Sequence, residues 1–293
     1  MIIEQLKDLK KKASITLAII LIASVGILIA ALFTQKSVIA PFAAVPFFIG
    51  IVVIASLKSK FSKLFKTAFV ADALKSTFEN LVYTPEKGFD RNVIASTGMI
   101  RMGDRYSSND YISGKYHNVG FEQSDLKIQE VHTYTDSKGQ THTEVENIFV
   151  GKWMIFDFNK NFQANIQVRT KNFYNSKLKT QWGGMKYQEV KMEDEAFNKQ
   201  FKVYAQSEHE AFYILTPSFM EKLKETATGL GGRVMFCFID NKLHIALNNS
   251  KDAFEYSIFG KLDEQVIHDY VFKEIKLITD FVDKLSLEND IFK

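Results

Sequence analysis

Two uncharged apolar runs near the start of the chain constrain its fold more than any other feature. They cover residues 15–33 and 38–57, and only residues 34–37 separate them. Each run is about 20 residues long, which at about 1.5 Å per residue matches the roughly 30 Å hydrocarbon core of a bilayer. The two runs predict a transmembrane helical hairpin. The alternatives are a cleaved signal peptide, which is typically shorter, and a buried helical pair in a soluble core.

Lysines flank this hairpin on both sides and predict its orientation. Those before it are Lys7, Lys10, Lys11 and Lys12, and those after it are Lys58, Lys60, Lys63 and Lys66. The loop between the runs carries only Lys36. Because lysine-rich flanks stay on the cytoplasmic side, we expect both termini in the cytoplasm. Two spans with short flanks and no eukaryotic targeting signal favour a multi-pass protein of a bacterial inner membrane. The lone cysteine, Cys237, agrees with a reducing compartment.

A cluster of turn-forming residues at 84–88 indicates a domain boundary. The predicted organisation is a basic cytoplasmic N-terminus at 1–14, the hairpin at 15–57, a juxtamembrane helix at 58–84 and a cytoplasmic domain at 88–293. The net charge of the chain is only +3, so electrostatics give no case for a nucleic-acid partner.

The juxtamembrane helix is predicted from apolar residues that recur at spacings of three and four between positions 58 and 82. Membrane lipid is a predicted partner, because the first turns of this helix combine lysine with phenylalanine. The predicted surface-contact residues are Lys58, Lys60, Phe61, Lys63, Phe65 and Lys66. The alternative is a stalk whose apolar stripe packs on protein, with lysines that only set the topology.

The apolar period changes from helical to alternating after position 110. Alternating or apolar runs of strand length predict strands at 111–116, 126–134, 141–150, 152–158 and 164–169. Short connections imply antiparallel neighbours, and Gly151 is expected to form a bulge or a turn. Phe149, Trp153 and Ile155 should share one side of the sheet, with Ile148, Met154, Phe156 and Phe158 on the other.

The second half of the domain begins after a polar loop predicted at 171–184. Predicted there are strands at 187–190, 201–205, 234–239 and 243–247, the last two joined by a turn at 240–242, and a short helix at 208–215. Thr216 and Pro217 predict a helix start, and Asp263 caps a long final helix. The fold class is therefore α+β: two transmembrane helices, then antiparallel sheet with packed helices and a long C-terminal helix.

Residue patterns that carry chemistry are missing from the sequence. It contains no phosphate-binding loop, dinucleotide fingerprint, nucleophile elbow or zinc-protease motif. His132 and His142 flank a predicted turn and could meet across a hairpin if the register allows. Cys237 lies among apolar residues and is expected to be an inert core thiol. We accordingly predict no catalytic, cofactor-binding or metal-binding residue and no cofactor.

Four short patterns carry a family resemblance. They are Ile148 to Trp153 with Phe156-Asp157-Phe158, then Phe201 to Tyr204, then Leu215 to Met220, and finally Phe236 to Ala246 with Phe254-Glu255. These patterns, in this order and after two N-terminal spans, resemble the bacterial family called domain of unknown function 3137. The resemblance implies an uncharacterised bacterial membrane protein with no assigned activity. Some relatives are encoded near LemA-type proteins, so the resemblance also suggests a LemA-type partner.

These observations favour a membrane-anchored cytoplasmic binding or scaffold protein over an enzyme. One alternative is a membrane-surface enzyme without a recognisable motif, which would need a deep pocket with converging titratable groups. The other is an accessory subunit of a larger membrane complex, whose hairpin should carry a small-residue face such as Ala23, Gly26 and Ala30.

Overall fold

The computed structural model describes residues 2–34, 41–158, 162–171, 173, 181–182 and 185–288. It divides into two compact units. Unit 1 comprises Met1–Ala73 and Phe254–Lys273, and unit 2 comprises Leu74–Ala253 and Glu274–Lys293. The predicted membrane loop with Lys36, the start of the second apolar run at 38–40 and the glycines of the 171–184 loop at 183–184 lie outside the described residues.

Unit 1 is built on two long apolar helices. Helix α1 spans Ile2–Thr34 and α2 spans Ala44–Phe65; a π-helical turn at Lys66–Val70 then leads into α3 at Ala71–Thr77. Both helical segments are long and apolar enough to cross a membrane. They approach closely at Gly50, where an added Cβ would lie 1.9 Å from Cδ1 of Ile20.

The juxtamembrane helix is shorter than predicted. It ends at Thr77, and residues Glu79–Thr84 form strand β1 instead of the last helical turn. Val82 pairs with Ser113 of the neighbouring strand, so sheet pairing overrides the local helical period.

Unit 2 is organised by a nine-stranded antiparallel sheet with the order β1-β2-β3-β4-β11-β10-β5-β9-β8. Its other strands are β2 (Arg105–Tyr116), β3 (Val119–Thr135), β4 (Thr141–Asp157), β5 (Ile166–Thr170), β8 (Gln188–Val190), β9 (Phe201–Ala205), β10 (Arg233–Ile239) and β11 (Lys242–Asn248). A separate hairpin pairs β6 (Gln181–Trp182) with β7 (Met185–Lys186). The sequence predicted a polar loop at 171–184, and two residues of that segment, Gln181 and Trp182, form strand β6 instead.

The structure joins two predicted strands into one. Strand β4 continues through Gly151, where an added Cβ would lie 2.0 Å from the carbonyl oxygen of Leu247 on β11. The predicted bulge or turn at Gly151 is therefore wrong; the glycine permits close strand pairing. The bulge lies at Ile148, which is skipped between the pairs Ile128–Phe149 and Gln129–Asn147.

Both faces of the sheet are covered, as the apolar pattern predicted. On one face Phe149, Trp153 and Ile155 join a buried cluster with residues from the segment around α4 (Arg91–Ser96). On the other face Phe156 contacts Phe281 of the final helix α8 (Glu264–Leu285), with ring centroids 6.1 Å apart. The predicted α+β fold is confirmed.

Several local signals in the second half are confirmed. Helices α5 (Glu195–Gln200), α6 (Glu208–Ile214) and α7 (Pro217–Thr228) lie between the strands. Thr216 caps α7 through its side chain, and Asp263 accepts hydrogen bonds from the first amides of α8.

The turn between β10 and β11 is one residue shorter than predicted. Asp240 and Asn241 form it with φ of 51° and 56°, and Lys242 already belongs to β11.

Candidate functional site

The structure divides the predicted membrane-surface residues into two groups. Lys58, Lys60 and Lys63 are exposed, whereas Phe61, Phe65 and Lys66 are buried within unit 1. A side chain with no exposed surface cannot enter a headgroup layer, so burial removes Phe61 and Phe65 from the predicted contact. Lys58, Lys60 and Lys63 are exposed, as a contact with the membrane surface requires.

The buried group packs on a segment that follows far along the chain. The ring of Phe65 stacks on Tyr256 at 5.0 Å, and the Lys66 ammonium lies 2.7 Å from the Glu255 carboxylate. The hydroxyl of Ser62 also donates to Glu255, over 3.3 Å. The helix therefore presents its aromatic stripe to protein, as the stalk alternative requires.

A buried carboxylate cluster lies on the α8-covered side of the sheet in unit 2. One oxygen each from Asp110, Asp125 and Asp252 lies within 4.8 Å of the others, and the first two residues are buried. Such oxygens are ligands that hard cations prefer. Here the Tyr83 hydroxyl and the Asn109 amide already donate to the two oxygens of Asp110, at 3.0 and 2.8 Å. Protein donors thus stabilise this carboxylate without a cation.

Asp125 is the most perturbed member of this cluster. Burial raises its pKa well above the usual value, and the neighbouring Asp252 adds to the rise, while Lys152 opposes it. One carboxylate oxygen accepts the Ala253 amide, and the other has no hydrogen-bond donor among the described residues. Burial and the neighbouring Asp252 carboxylate thus both disfavour a charge on Asp125.

Lys152 provides the buried cation beside this cluster. It lies directly opposite Asp125 in the β3–β4 register, and its ammonium is 2.8 Å from the carboxylate of Glu274 on α8. The Lys152 side chain is 2% exposed and that of Glu274 is 16% exposed. This ion pair fixes α8 to the sheet inside unit 2.

The far end of the β3–β4 hairpin is the most exposed part of the sheet. Strand β2 pairs with β3 only as far as Gln129, and β11 pairs with β4 only as far as Gly151. Beyond these limits, residues 130–135 and 141–146 pair with each other and with no other strand in the described part of the chain. We call this two-stranded segment, residues 130–146, the ribbon; its residues 132–135 and 141–146 are all exposed.

The ribbon has two chemically different faces. The cross-strand pairs Glu130–Glu146, His132–Glu144 and Tyr134–His142 form one face, and the pairs Val131–Val145 and Thr133–Thr143 form the other. His132 and His142 share a face but do not pair: His132 lies 3.3 Å from Glu146 and His142 lies 2.9 Å from Asp136. Register thus answers the question that the sequence left open.

The first ribbon face also contains a second group with metal-ligand geometry. Single ligand atoms of Glu130, His132 and Glu146 lie within 4.8 Å of one another. Arg101 donates to both carboxylate oxygens of Glu130, one of them over 2.8 Å, and competes with any cation there. The sequence predicted no metal site, and spacing along the chain gives no signal for either group.

The remaining titratable groups of note lie in the core. Burial lowers the pKa of His244 to about 4, and the indole of Trp153 donates to its Nδ1 over 3.3 Å. Burial also raises the pKa of the Cys237 thiol.

A surface cavity of about 280 Å³ in unit 2 is lined by Glu122, Asp157 and Lys242 among others, and Asp157 and Lys242 form a 2.5 Å ion pair.

Part of the chain matches the model of a known protein family. Residues 147–287 match the family model described as protein of unknown function (DUF3137). Over these residues the chain is similar to the DUF3137 family. The matched part begins in β4 and ends just after α8, so it covers the second part of the sheet and the final helix. The predicted family resemblance is confirmed.

Other comparisons are weaker. No curated protein matches the chain. Among solved structures, the crystal structure of the mycobacterial trehalose monomycolate transport factor A, TtfA, is similar at 9% identity and a TM-score of 0.39. The likeness covers 79% of this chain and 98% of that one. A TM-score this low supports no statement about fold or function.

Proposed function

We propose that this protein is a membrane-anchored binding or accessory protein without enzymatic activity, and that its ribbon contacts the partner. The ribbon is the observation that carries the proposal. It extends past both neighbouring strands, and its polar and apolar faces are open to solvent. A β-ribbon with free faces offers a protein partner both side-chain contacts and an edge for strand addition.

The charges on the ribbon favour a basic partner surface. Residues 130–146 contain the acids Glu130, Asp136, Glu144 and Glu146 and one lysine, Lys138. Val131 and Val145 on the other face add a small apolar contact. Complementary charge would orient the partner and speed its association. A LemA-type protein, suggested by family resemblance, is the first candidate to test.

Anchoring is supported by the two apolar helices of unit 1. Their outward residues are apolar and exposed, including Leu21, Ile22, Phe48 and Val52 at 58–73% exposure. Such surfaces are stable in lipid and not in water. We place both termini in the cytoplasm of a bacterium, because lysines cluster on both flanks. A C-terminal fusion should be active with a cytoplasmic reporter and inactive with an exported one, and the reverse would overturn this orientation.

The non-enzymatic part of the proposal is supported by the polar groups themselves. The strongly shifted pKa values of Cys237 and His244 come from core burial, and the 280 Å³ cavity is lined by an ion pair. This cavity is below the range of about 300–1,000 Å³ that small-molecule sites occupy. A second cavity, of about 600 Å³ in unit 1, falls within that range and is lined by Glu4, Asp8 and Lys60 among others.

A photocrosslinking experiment tests the ribbon directly. A photoreactive residue replaces Val145, which is 42% exposed on the ribbon, or Val93, which is 41% exposed on α4. These positions match in residue type and exposure, so Val93 is the control. In native membranes we expect a protein adduct from position 145 and none from position 93, with mass spectrometry to identify the partner. Equal adducts from both positions, or none from the ribbon, would refute the proposal.

A further inference from the structure

The segment that packs on the base of the hairpin places an exposed aromatic side chain near the membrane. In unit 1, residues 255–261 form a loop between Phe254 and α8. Phe259 in this loop is 47% exposed, and Lys261 is also exposed. Neighbouring Tyr256 and Ile258 are buried, so the loop presents Phe259 outward while its neighbours pack inward.

Contacts with both helices hold this loop in place. The Lys10 ammonium of α1 donates to the carbonyl oxygen of Gly260 over 2.8 Å. Glu255 at the other end of the loop pairs with Lys66, which follows α2. Inside the loop, the Gly260 amide donates to the Ser257 carbonyl over 2.8 Å. Phe259 therefore sits on a loop tied to the helix pair at both ends.

The attachment points are close to the apolar runs. Lys10 precedes Ile15 by five residues, which is about 7.5 Å along a helix. Ser62, the other hydrogen-bond donor to Glu255, follows Leu57 by the same number of residues. The headgroup layer on each side of a bilayer is about 5–8 Å thick. The loop thus lies at the outer edge of this layer when the helices span the membrane.

The charge around the loop also suits a lipid surface. Exposed lysines at 11, 12, 58, 60 and 261 belong to the same unit as the loop. Lys12 pairs with Asp8 at 2.7 Å and Lys7 pairs with Glu4 at 2.9 Å. Asp263 and Glu264 follow the loop, and the exposed lysines around it outnumber these acids. Basic side chains beside an exposed aromatic ring are the composition of interfacial membrane contacts.

We infer that the 255–261 loop is a membrane-contact element and that Phe259 inserts into the headgroup region of the leaflet from which the hairpin emerges. This inference rests on the proposed anchoring. It assigns to Phe259 the aromatic contact that the buried Phe61 and Phe65 cannot make. The partner is the lipid surface itself, and the contact fixes the height of unit 1 against the bilayer.

Site-specific fluorescence in lipid tests the inference. The full chain carries one introduced cysteine, Phe259→Cys, Tyr134→Cys or Val25→Cys, labelled with an environment-sensitive dye and reconstituted into anionic vesicles. Tyr134 on the ribbon has the same 47% exposure as Phe259 and is the matched control, while Val25 lies in the first apolar run at 51% exposure. Cys237 is fully buried, and unmodified chain gives the background label. Unfolding midpoints confirm that each variant folds.

The readout is dye quenching by lipids that carry a quencher on the acyl chain. We expect the dye at position 259 to emit at shorter wavelength and to be quenched at least about twofold more than the dye at position 134. Quenching at position 25 without quenching at 259 would overturn the inference and leave the anchoring intact. Equal quenching at 134 and 259 would also overturn it. Absence of quenching at 25 as well would overturn the anchoring.

Discussion

Replacing Lys152 with methionine should strongly destabilise unit 2. The methionine fills a similar volume but removes the ammonium that lies 2.8 Å from Glu274. Breaking a buried ion pair typically costs about 3–5 kcal/mol, because one charge stays buried without its partner. Glu274 is 16% exposed and keeps part of its hydration, so we expect a loss near the lower limit, about 3 kcal/mol.

The second carboxylate near Lys152 should contribute less to this loss. Asp125 already has a raised pKa, so it can take up a proton when Lys152 is removed. The penalty therefore falls on Glu274. A double variant, Lys152→Met with Glu274→Leu, removes both charges and should regain most of the lost stability, since replacing a buried pair by apolar residues is often neutral.

Urea unfolding of the detergent-solubilised chain measures these effects. Trp153 is fully buried next to Lys152, and a Trp182→Phe background leaves it as the only tryptophan. With a denaturant slope of about 2–3 kcal/mol/M, a loss of 3 kcal/mol lowers the midpoint by about 1–1.5 M. An unchanged midpoint for the single variant would refute the reasoning. So would a double variant no more stable than the single one.

Three further predictions concern unit 2. Gly151→Ala should lower its stability by about 1–3 kcal/mol, because the new Cβ would lie 2.0 Å from the Leu247 carbonyl oxygen; Gly229→Ala, with open space, is the control in the same unfolding assay. Asp125→Asn should gain stability relative to wild type as pH rises above about 4. The raised pKa of Asp125 contributes to the free energy of unfolding of the wild type at low pH, and this contribution is lost as the pH rises toward the pKa of the folded state. Unfolding midpoints of the two proteins that stay parallel across a pH series would contradict this prediction. Cys237 should resist thiol reagents in the folded protein and react after unfolding, since burial raises its pKa; rapid labelling under native conditions would contradict this.

Features that depend on neighbouring residues could be predicted from the sequence. Thr216 and Pro217 mark a helix start by their own chemistry, and the stripe from Ile267 to Leu285 follows one helical period. The alternation from Trp153 to Phe156 likewise predicted which residues share a sheet face. In each of these cases the deciding interaction lies within a few residues along the chain, so periodicity and capping preferences suffice. Ile148 was predicted on the opposite face, but it lies at the bulge and packs against the cluster of Phe149 and Trp153.

Features that depend on distant pairing could not be predicted. Strand β11 lies between β4 and β10 in the sheet, and no local pattern specifies that order. Asp110, Asp125 and Asp252 come from a bulged strand, its neighbour and a loop about 130 residues later. The ribbon gave only a weak signal: its polar, unbroken alternation was visible, but the limits of β2 and β11 determine where it leaves the sheet.

The juxtamembrane helix shows why an amphipathic stripe alone cannot distinguish lipid from protein. Phe61, Phe65 and the lysines around them are compatible with a lipid surface and with a protein surface, because an apolar face flanked by cations is stable against both. The deciding residue is Glu255, which neutralises Lys66 and lies 193 positions after Ser62. A lysine within an aromatic stripe must find an acid if the stripe packs on protein, whereas it needs none at an anionic surface. The pairing of the buried Lys66 with Glu255 therefore assigns this face of the helix to protein. Any lipid contact has to come from side chains that remain exposed, such as Lys58, Lys60 and Phe259.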